Sequence, residues 1–184
     1  YYLMKVIDGG VKSGSGTIVR CAVTLASLLG KEIKIQNIRQ RRDKPGLRAQ
    51  HLKAIQACAE MCHGVVENAA VGSKEITYIP RKRFNGGEYE WDIGTAGSTT
   101  MFAQALLPLA CFSKKPSRFR LEGGLFQDFA PSAYHMKFVL LPLLKQMGIQ
   151  AELEIIRPGY VPKGGGIIQI EVEPVEKLKP LNLV

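Results

Sequence analysis

The chain has 184 residues, 46% of them hydrophobic and 22% charged, enough to bury a real core in one or two domains. No apolar run reaches the ~20 residues of a membrane-spanning helix, and Tyr1 to Val6 lack the long apolar region and cleavage site of a secretory signal, so the expected setting is cytoplasmic with no membrane partner. Its 25 lysines and arginines outnumber 16 acids, for a net charge of +9 and a pI near 9.5, the balance of a protein that meets phosphates.

Taken in chain order, Tyr1 to Asp8 reads as a first strand with a few extra residues before Met4, and Gly9-Gly10 turns it. Lys12 to Thr17 leads into a predicted helix from Ile18 to Leu29, where Ser and Thr serve as caps. Its apolar stripe comprises Ile18, Val19, Ala22, Leu25, Leu28 and Leu29, and Gly30 stops it. Glu32 to Ile38 mostly alternates apolar and polar, the mark of a half-buried strand. A basic loop, Arg39 to Gly46, precedes a helix from about Leu47 to Cys62 that Gly64 ends, and strands follow at Val65–Glu67 and Glu75–Ile79.

The plan then repeats. After a polar, basic seam from Arg81 to Gly87 come a strand at Trp91–Ile93, a glycine-rich loop from Gly94 to Thr100 and a helix from about Met101 to Phe112. A strand at Arg118–Glu122, a loop with Asp128 and Pro131, a helix from Ala133 to Met147 and strands at Ala151–Ile156 and Ile167–Val172 complete it. Adding 84 to Asp8, Arg20, His51 and Gly64 gives Asp92, Gln104, His135 and Gly148. The expected fold is therefore α/β, an α+β sandwich of tandem units, 1–85 and 86–184, each with two helices on one face of a four-stranded sheet.

Two features carry chemistry. The loops Gly14-Ser15-Gly16-Thr17 and Gly94-Thr95-Ala96-Gly97-Ser98 stand before helices, where free backbone N–H groups meet anions. Neither is a Walker loop or a GxGxxG, and a capped tight turn explains either one alone; their equivalent positions favour the anion. The stronger signal is the run from Arg39 to Lys53, with six basic residues and one acid, Asp43. Arginine forks suit bidentate phosphate contact, a helix start follows, and Gln50-His51 lies close enough to share the ligand. Asp8 and Asp92 are read as turn caps rather than metal ligands, the four cysteines as buried reduced thiols, and the helical apolar stripes as core.

In these residues the chain resembles the RNA 3′-terminal phosphate cyclase family. The matching stretches are Asp8-Gly9 with Gly14 to Arg20, Ile38-Arg39 with Arg42, Pro45-Gly46-Leu47, Gln50-His51-Leu52 and Gly72-Ser73. They continue with Ile93 to Ser98, Gln104, Leu107-Pro108, Gly123-Gly124, Pro131, Gly159-Tyr160 and Pro162 to Gly166. The resemblance implies a large domain of three repeats with a smaller inserted domain. The two units here look like the first two repeats, with the insert and third repeat expected beyond residue 184.

It also implies an ATP-dependent reaction with a divalent metal, Mg or Mn. In such a reaction a histidine takes up AMP and passes it to an RNA 3′-phosphate. The neighbouring 2′-hydroxyl then displaces AMP and leaves a 2′,3′-cyclic phosphate. Arg20, Arg39, Arg42, Gln50 and His51 match family positions around the RNA phosphate and active site, Gln104 one tied to nucleotide, and Pro131 one bordering the adenine.

Three departures accompany the match. The family's nucleophilic histidine lies in a motif after the insert, and none of His51, His63 and His135 matches it. Ser13 stands where many cyclases carry a metal-associated Glu. The usual Gly-Gly-Thr-Asp reads Gly123-Gly124-Leu125-Phe126. A catalytically inactive RNA-binding relative in ribosomal RNA processing is thus the alternative reading, and an enolpyruvyl transferase of similar repeated architecture a distant third.

Overall fold

A computed structural model describes residues 4–182. Tyr1 to Leu3, read as the start of the first strand, and Leu183 and Val184 lie outside the described residues. The chain divides into two compact units, Tyr1–Phe84 and Asn85–Val184.

The first unit runs β1 (Lys5–Asp8), α1 (Gly16–Leu29), β2 (Ile33–Gln36), α2 (Ala49–Met61), β3 (Val65–Glu67) and β4 (Ile76–Ile79). Its sheet has the order β1-β2-β4-β3, with β1 and β2 parallel and the other neighbours antiparallel. Period-two alternation puts Ile33 and Ile35 opposite Tyr78 and Ile76, all fully or nearly fully buried. Val19, Val23 and Ala26 of α1 and Ile55, Cys58 and Met61 of α2 are buried with them.

Tyr78 carries a hydroxyl into this core, and Ser27 Oγ meets it at 2.6 Å, so the buried oxygen is satisfied. Burial pushes the Tyr78 hydroxyl well above the ordinary tyrosine range and the Cys58 thiol up to about 12, which keeps both groups neutral.

Some local expectations are corrected. On α1 the buried face runs through Gly16, Val19, Arg20, Val23, Thr24 and Ser27, while Leu25 and Leu29 of the predicted core stripe are exposed. Cys21 is exposed too, so only Cys58, Cys62 and Cys111 are buried thiols. Ser15 stands at the α1 N-cap without a side-chain cap bond, whereas Ser98 does accept from Met101 N–H. After α2 it is His63, at φ 48, that takes the left-handed position, with Gly64 N–H closing onto Ala59 O.

The second unit repeats the wiring with longer strands. It runs β5 (Gly87–Asp92), α3 (Thr99–Cys111), β6 (Ser117–Gly123), α4 (Ala133–His135), a π-helical turn (Met136–Leu140), α5 (Leu141–Gln146), β7 (Gln150–Arg157) and β8 (Gly166–Glu173). The sheet order β5-β6-β8-β7 copies that of the first unit, again with one parallel pair. The expected helix Ala133 to Met147 is thus interrupted by the π turn, a widening that exposes Phe138 and Val139 while Met136 and Leu141 stay buried.

One face of this sheet buries Phe119, Leu121, Leu153, Ile168 and Ile170. The other carries ion pairs: Arg118 to Glu88 and Glu171, and Arg120 to Glu90, at 2.9–3.1 Å. Asp8 accepts from Gly10 N–H at 2.8 Å and Asp92 from Gly94 N–H at 2.7 Å, the same turn cap twice. Among the described residues no helix is long and apolar enough to cross a membrane.

Candidate phosphate-binding site

In the first unit the glycine-rich loop before α1 and the basic loop before α2 lean on each other. Both leave the same end of adjacent parallel strands, β1 and β2, so they emerge side by side. Asn37 Nδ2 donates to Asp8 Oδ1 at 3.2 Å, and one terminal guanidinium nitrogen of Arg41 donates to Lys12 O at 3.1 Å. Lys12, Asn37 and Arg39 all hold positive φ, between 49 and 54, which curls both loops tightly.

Arg39 is gripped by its own loop. One terminal guanidinium nitrogen donates to Lys44 O at 2.7 Å and to Gly46 O at 3.0 Å. Its other nitrogens remain as a fork for a ligand. Arg20, on the second turn of α1, is only 8% exposed and donates to Thr17 Oγ1 at 3.2 Å. Burial lowers its pKa, and among the described residues no carboxylate pairs with it. A buried guanidinium without a counter-charge is costly, so an anion arriving from outside has much to offer it.

His51 completes the group. It is buried at the third position of α2, and the backbone N–H of Arg48, the N-cap residue, donates to its Nδ1 at 3.2 Å. With Nδ1 accepting, the neutral ring carries its proton on Nε2. That nitrogen lies against the backbone of Gly16, at the first turn of α1, where a Cβ would overlap it. Burial first, then the charges of Arg20, Arg39 and Arg48, hold His51 down to about 3.

The folded value thus lies below the ordinary 6.5, so the unfolded chain binds a proton that the folded one refuses. Stability on this account is fully present above pH 6.5 and drains as pH falls toward 3, by ~1.4 kcal/mol per unit. Denaturant titrations from pH 6.5 to 4.5 should show this slope in the unmodified chain and not in His51→Gln. An equal slope in both would remove His51 as its source.

Arg42 and Gln50 sit beside these groups. Arg42 is exposed, its charge lowers the pKa of Arg39, and its N–H closes the turn onto Arg39 O. Gln50 is half-buried in the first turn of α2. The five expected residues of this unit thus belong to two touching loops and the helix starts beyond them. Sequence reasoning left Arg48 out of the site, although it lies three residues before His51 at the N-cap. It named Gly16 only as part of a candidate anion loop and missed that its absent side chain makes room for the imidazole.

Gln104 and Pro131 lie in the second unit. Thr100, one turn ahead of Gln104 on α3, donates to Pro131 O at 2.6 Å, which ties the loop to the start of that helix. Pro108, four residues on, has no N–H, so the Gln104 carbonyl lacks its usual helical partner. His135, the counterpart of His51, is exposed and accordingly a different kind of residue. Among the described residues no group of three His, Cys, Asp or Glu is placed to hold a metal.

The charge is divided unevenly. Residues 1–84 hold fifteen basic and six acidic residues, whereas residues 85–184 hold ten of each, so the whole excess belongs to the first unit. The arginines of the two units also bond differently. Arg118, Arg120 and Arg157 meet glutamates, while Arg20, Arg39 and Arg41 meet only a hydroxyl or main-chain carbonyls.

The model of a family described as RNA 3′-terminal phosphate cyclase matches residues 11–183. Proteins named RNA 3′-terminal phosphate cyclase are 45% identical in Desulfurococcus amylolyticus over 97% of this chain and 50% of the relative. Identity is 41% in Nitrosospira multiformis, over 98% and 51%, and 42% in Pyrococcus furiosus, over 97% and 52%. The chain spans about half the length of these curated relatives. A solved EPSP synthase from Acinetobacter baumannii aligns over 93% of this chain and 48% of its own with 9% identity and a TM-score of 0.42, too slight a likeness to bear on function. A family match across almost every residue, joined to relatives at 41–45% identity, settles the kinship: the chain belongs to the RNA 3′-terminal phosphate cyclase family.

Proposed function

We propose that the chain binds the 3′-terminal phosphate of RNA as part of an ATP-dependent cyclase that converts it to a 2′,3′-cyclic phosphate. The observation that carries this reading is the uncompensated guanidinium cluster: Arg20 buried with only a hydroxyl, and Arg39 anchored to carbonyls, around a neutral His51. Arg20, Arg39 and Arg42 hold the phosphate oxygens. His51 Nε2–H and the Gln50 amide act as neutral donors where charge develops as the phosphate becomes activated. Gln104 and Pro131 border the nucleotide. ATP supplies the AMP that makes the 3′-phosphate a reactive anhydride. A divalent metal, Mg or Mn, accompanies the ATP.

The histidine that accepts AMP is assigned to a part of the enzyme outside these 184 residues, with the inserted domain and third repeat, and the setting to the cytoplasm. A second reading keeps the RNA site without the chemistry. It is favoured by Ser13 and by Phe126, whose ring packs on Tyr134 and Tyr160 at a position where the family carries an acid.

Binding of a 3′-phosphorylated RNA oligonucleotide, followed by fluorescence anisotropy, tests the proposal. Arg39→Ala and Arg42→Ala should each weaken it about ten-fold, the scale of one charged hydrogen bond, and flatten its salt dependence. Labelled ATP with divalent metal should leave no covalent band on a denaturing gel. Affinities equal to the unmodified chain would leave the loop a mere basic surface. A band lost in His51→Ala or His135→Ala would put the nucleophile inside the chain.

A further inference from the structure

The second unit carries a feature that the phosphate site does not use. Four aromatic rings form a ladder, Tyr160–Phe126–Tyr134–Phe138, with centroids 5.4, 5.0 and 6.1 Å apart and planes inclined by 28°, 37° and 19°. Three of the rings lie largely in solvent: Tyr134 is 56% exposed, Tyr160 61% and Phe138 64%. The ladder is built rather than incidental. Paired backbone at Phe126 and Tyr160 fixes one end, and Tyr134 and Phe138 project from the segment containing the π turn, anchored by buried Ala133, Met136 and Leu141. Phe129, in the loop between them, holds a left-handed φ of 62 with its side chain fully exposed, a conformation a bulky residue adopts only where the surroundings impose it.

Cations bracket the ladder. Lys137 Nζ stands 5.6 Å from the Phe138 centroid at one end, and Lys163 lies in the Tyr160–Gly164 turn at the other. Asp128 is the one acid in the segments that build it, residues 124–141 and 158–166. Near-parallel exposed rings, phenolic tips and a cation at each end suit flat, unpaired bases on a phosphate backbone better than the branched aliphatic side chains of a protein partner.

We propose that this ladder is a stacking platform for the unpaired bases of single-stranded RNA. It holds the strand by its bases, whatever their identity. The inference rests on the reading of the chain as an RNA binder. Stacking is tolerant of sequence because every base presents a π face, so the platform adds affinity without selecting a particular end.

The test uses two fluorescent single-stranded RNAs of ~10 nucleotides, identical except that one ends in a 3′-phosphate and the other in a 3′-hydroxyl. The double variant Tyr134→Ala/Phe138→Ala should weaken both by the same factor, about ten-fold, and leave the slope of affinity against salt unchanged. Tyr134→Trp/Phe138→Trp, which keeps a ring at both positions, should bind as the unmodified chain does. Arg39→Ala, by contrast, should act on the phosphorylated strand and lower its salt slope. If Arg39→Ala changes nothing while the ladder variants do, the phosphate-end reading fails and the platform stands. Unchanged affinity in the ladder variants overturns the platform. So does a loss confined to ATP binding, or a shift in the mass of the chain in solution that marks a protein interface.

Discussion

Gly16→Ala should weaken binding of a 3′-phosphorylated strand at least ten-fold and cost ~1–3 kcal/mol of stability, the range of overpacking. The helical backbone at Gly16 tolerates alanine, and alanine is the better helix former, so the methyl group's destination decides the outcome. It lands on the His51 ring. The ring is held by Arg48 N–H at Nδ1 and hemmed in by buried neighbours, so relief means turning the imidazole away from the site or pushing α1 and α2 apart. Thermal denaturation and anisotropy separate the two losses. In Gly16→Ala/His51→Ala the space vacated by the ring should accept the methyl, so stability recovers while phosphate affinity does not. Full affinity in Gly16→Ala would mean that His51 has no part in the contact.

Phe119→Ala should destabilise the second unit by ~3–5 kcal/mol, the largest single loss expected in its core. Its ring is fully buried, with centroids 5.8 Å from Trp91 and 6.4 Å from Tyr89, and Trp91 in turn meets Phe102 of α3 edge-on at 5.7 Å. Removing it takes the centre from the cluster that joins β5, β6 and α3. Trp91 is the chain's single tryptophan, so its emission reports this unit. Its transition should move to lower denaturant concentration in the variant. A shift of less than ~1 kcal/mol, the size of an ordinary surface effect, would mean that the cluster closes over the gap.

Sequence reading reached the wiring of the fold through its punctuation. The offset between Asp8 and Asp92, each with a glycine two residues on, marked two strand ends, and each turned out to carry the same aspartate-to-glycine cap. Alternation in β2 identified its half-buried character for the same reason, since a period of two survives any neighbour. Helix faces were harder. On α1 the leucines looked like core, yet Leu25 and Leu29 are exposed and the buried side joins valines and alanines to Gly16, Arg20, Thr24 and Ser27. Gly16 and Arg20 lie on the flank that meets His51 and the basic loop, and hydrophobicity is blind to it.

The site itself was half legible. Clustered arginines announced a phosphate partner, but nothing in their spacing showed that Arg39 would be clamped by Lys44 and Gly46, or that Arg48 would set the tautomer of His51. Those relations depend on left-handed residues at Asn37 and Arg39, conformations that no propensity assigns to an arginine. The aromatic ladder was invisible for a related reason: Phe126 and Tyr160 are far apart in the chain and meet through a single backbone bridge.

The carbonyl anchoring of Arg39 bears on how the site tells one phosphate from another. A guanidinium that begins in an ion pair must surrender a carboxylate before it accepts a ligand, and its response to acid then mixes two titrations. Arg39 is held instead by the carbonyls of Lys44 and Gly46, so it has no carboxylate to surrender. His51 stays neutral throughout the physiological range. The proposed ligand does change its charge near neutrality, since a terminal phosphate monoester dianion takes up one proton at pH ~6. A strand's internal diesters carry one charge at every such pH, and its monoester end carries two. On the proposed function, the anchored arginines sense the ionisation of the phosphate they hold, and charge helps to separate the end of a strand from its middle.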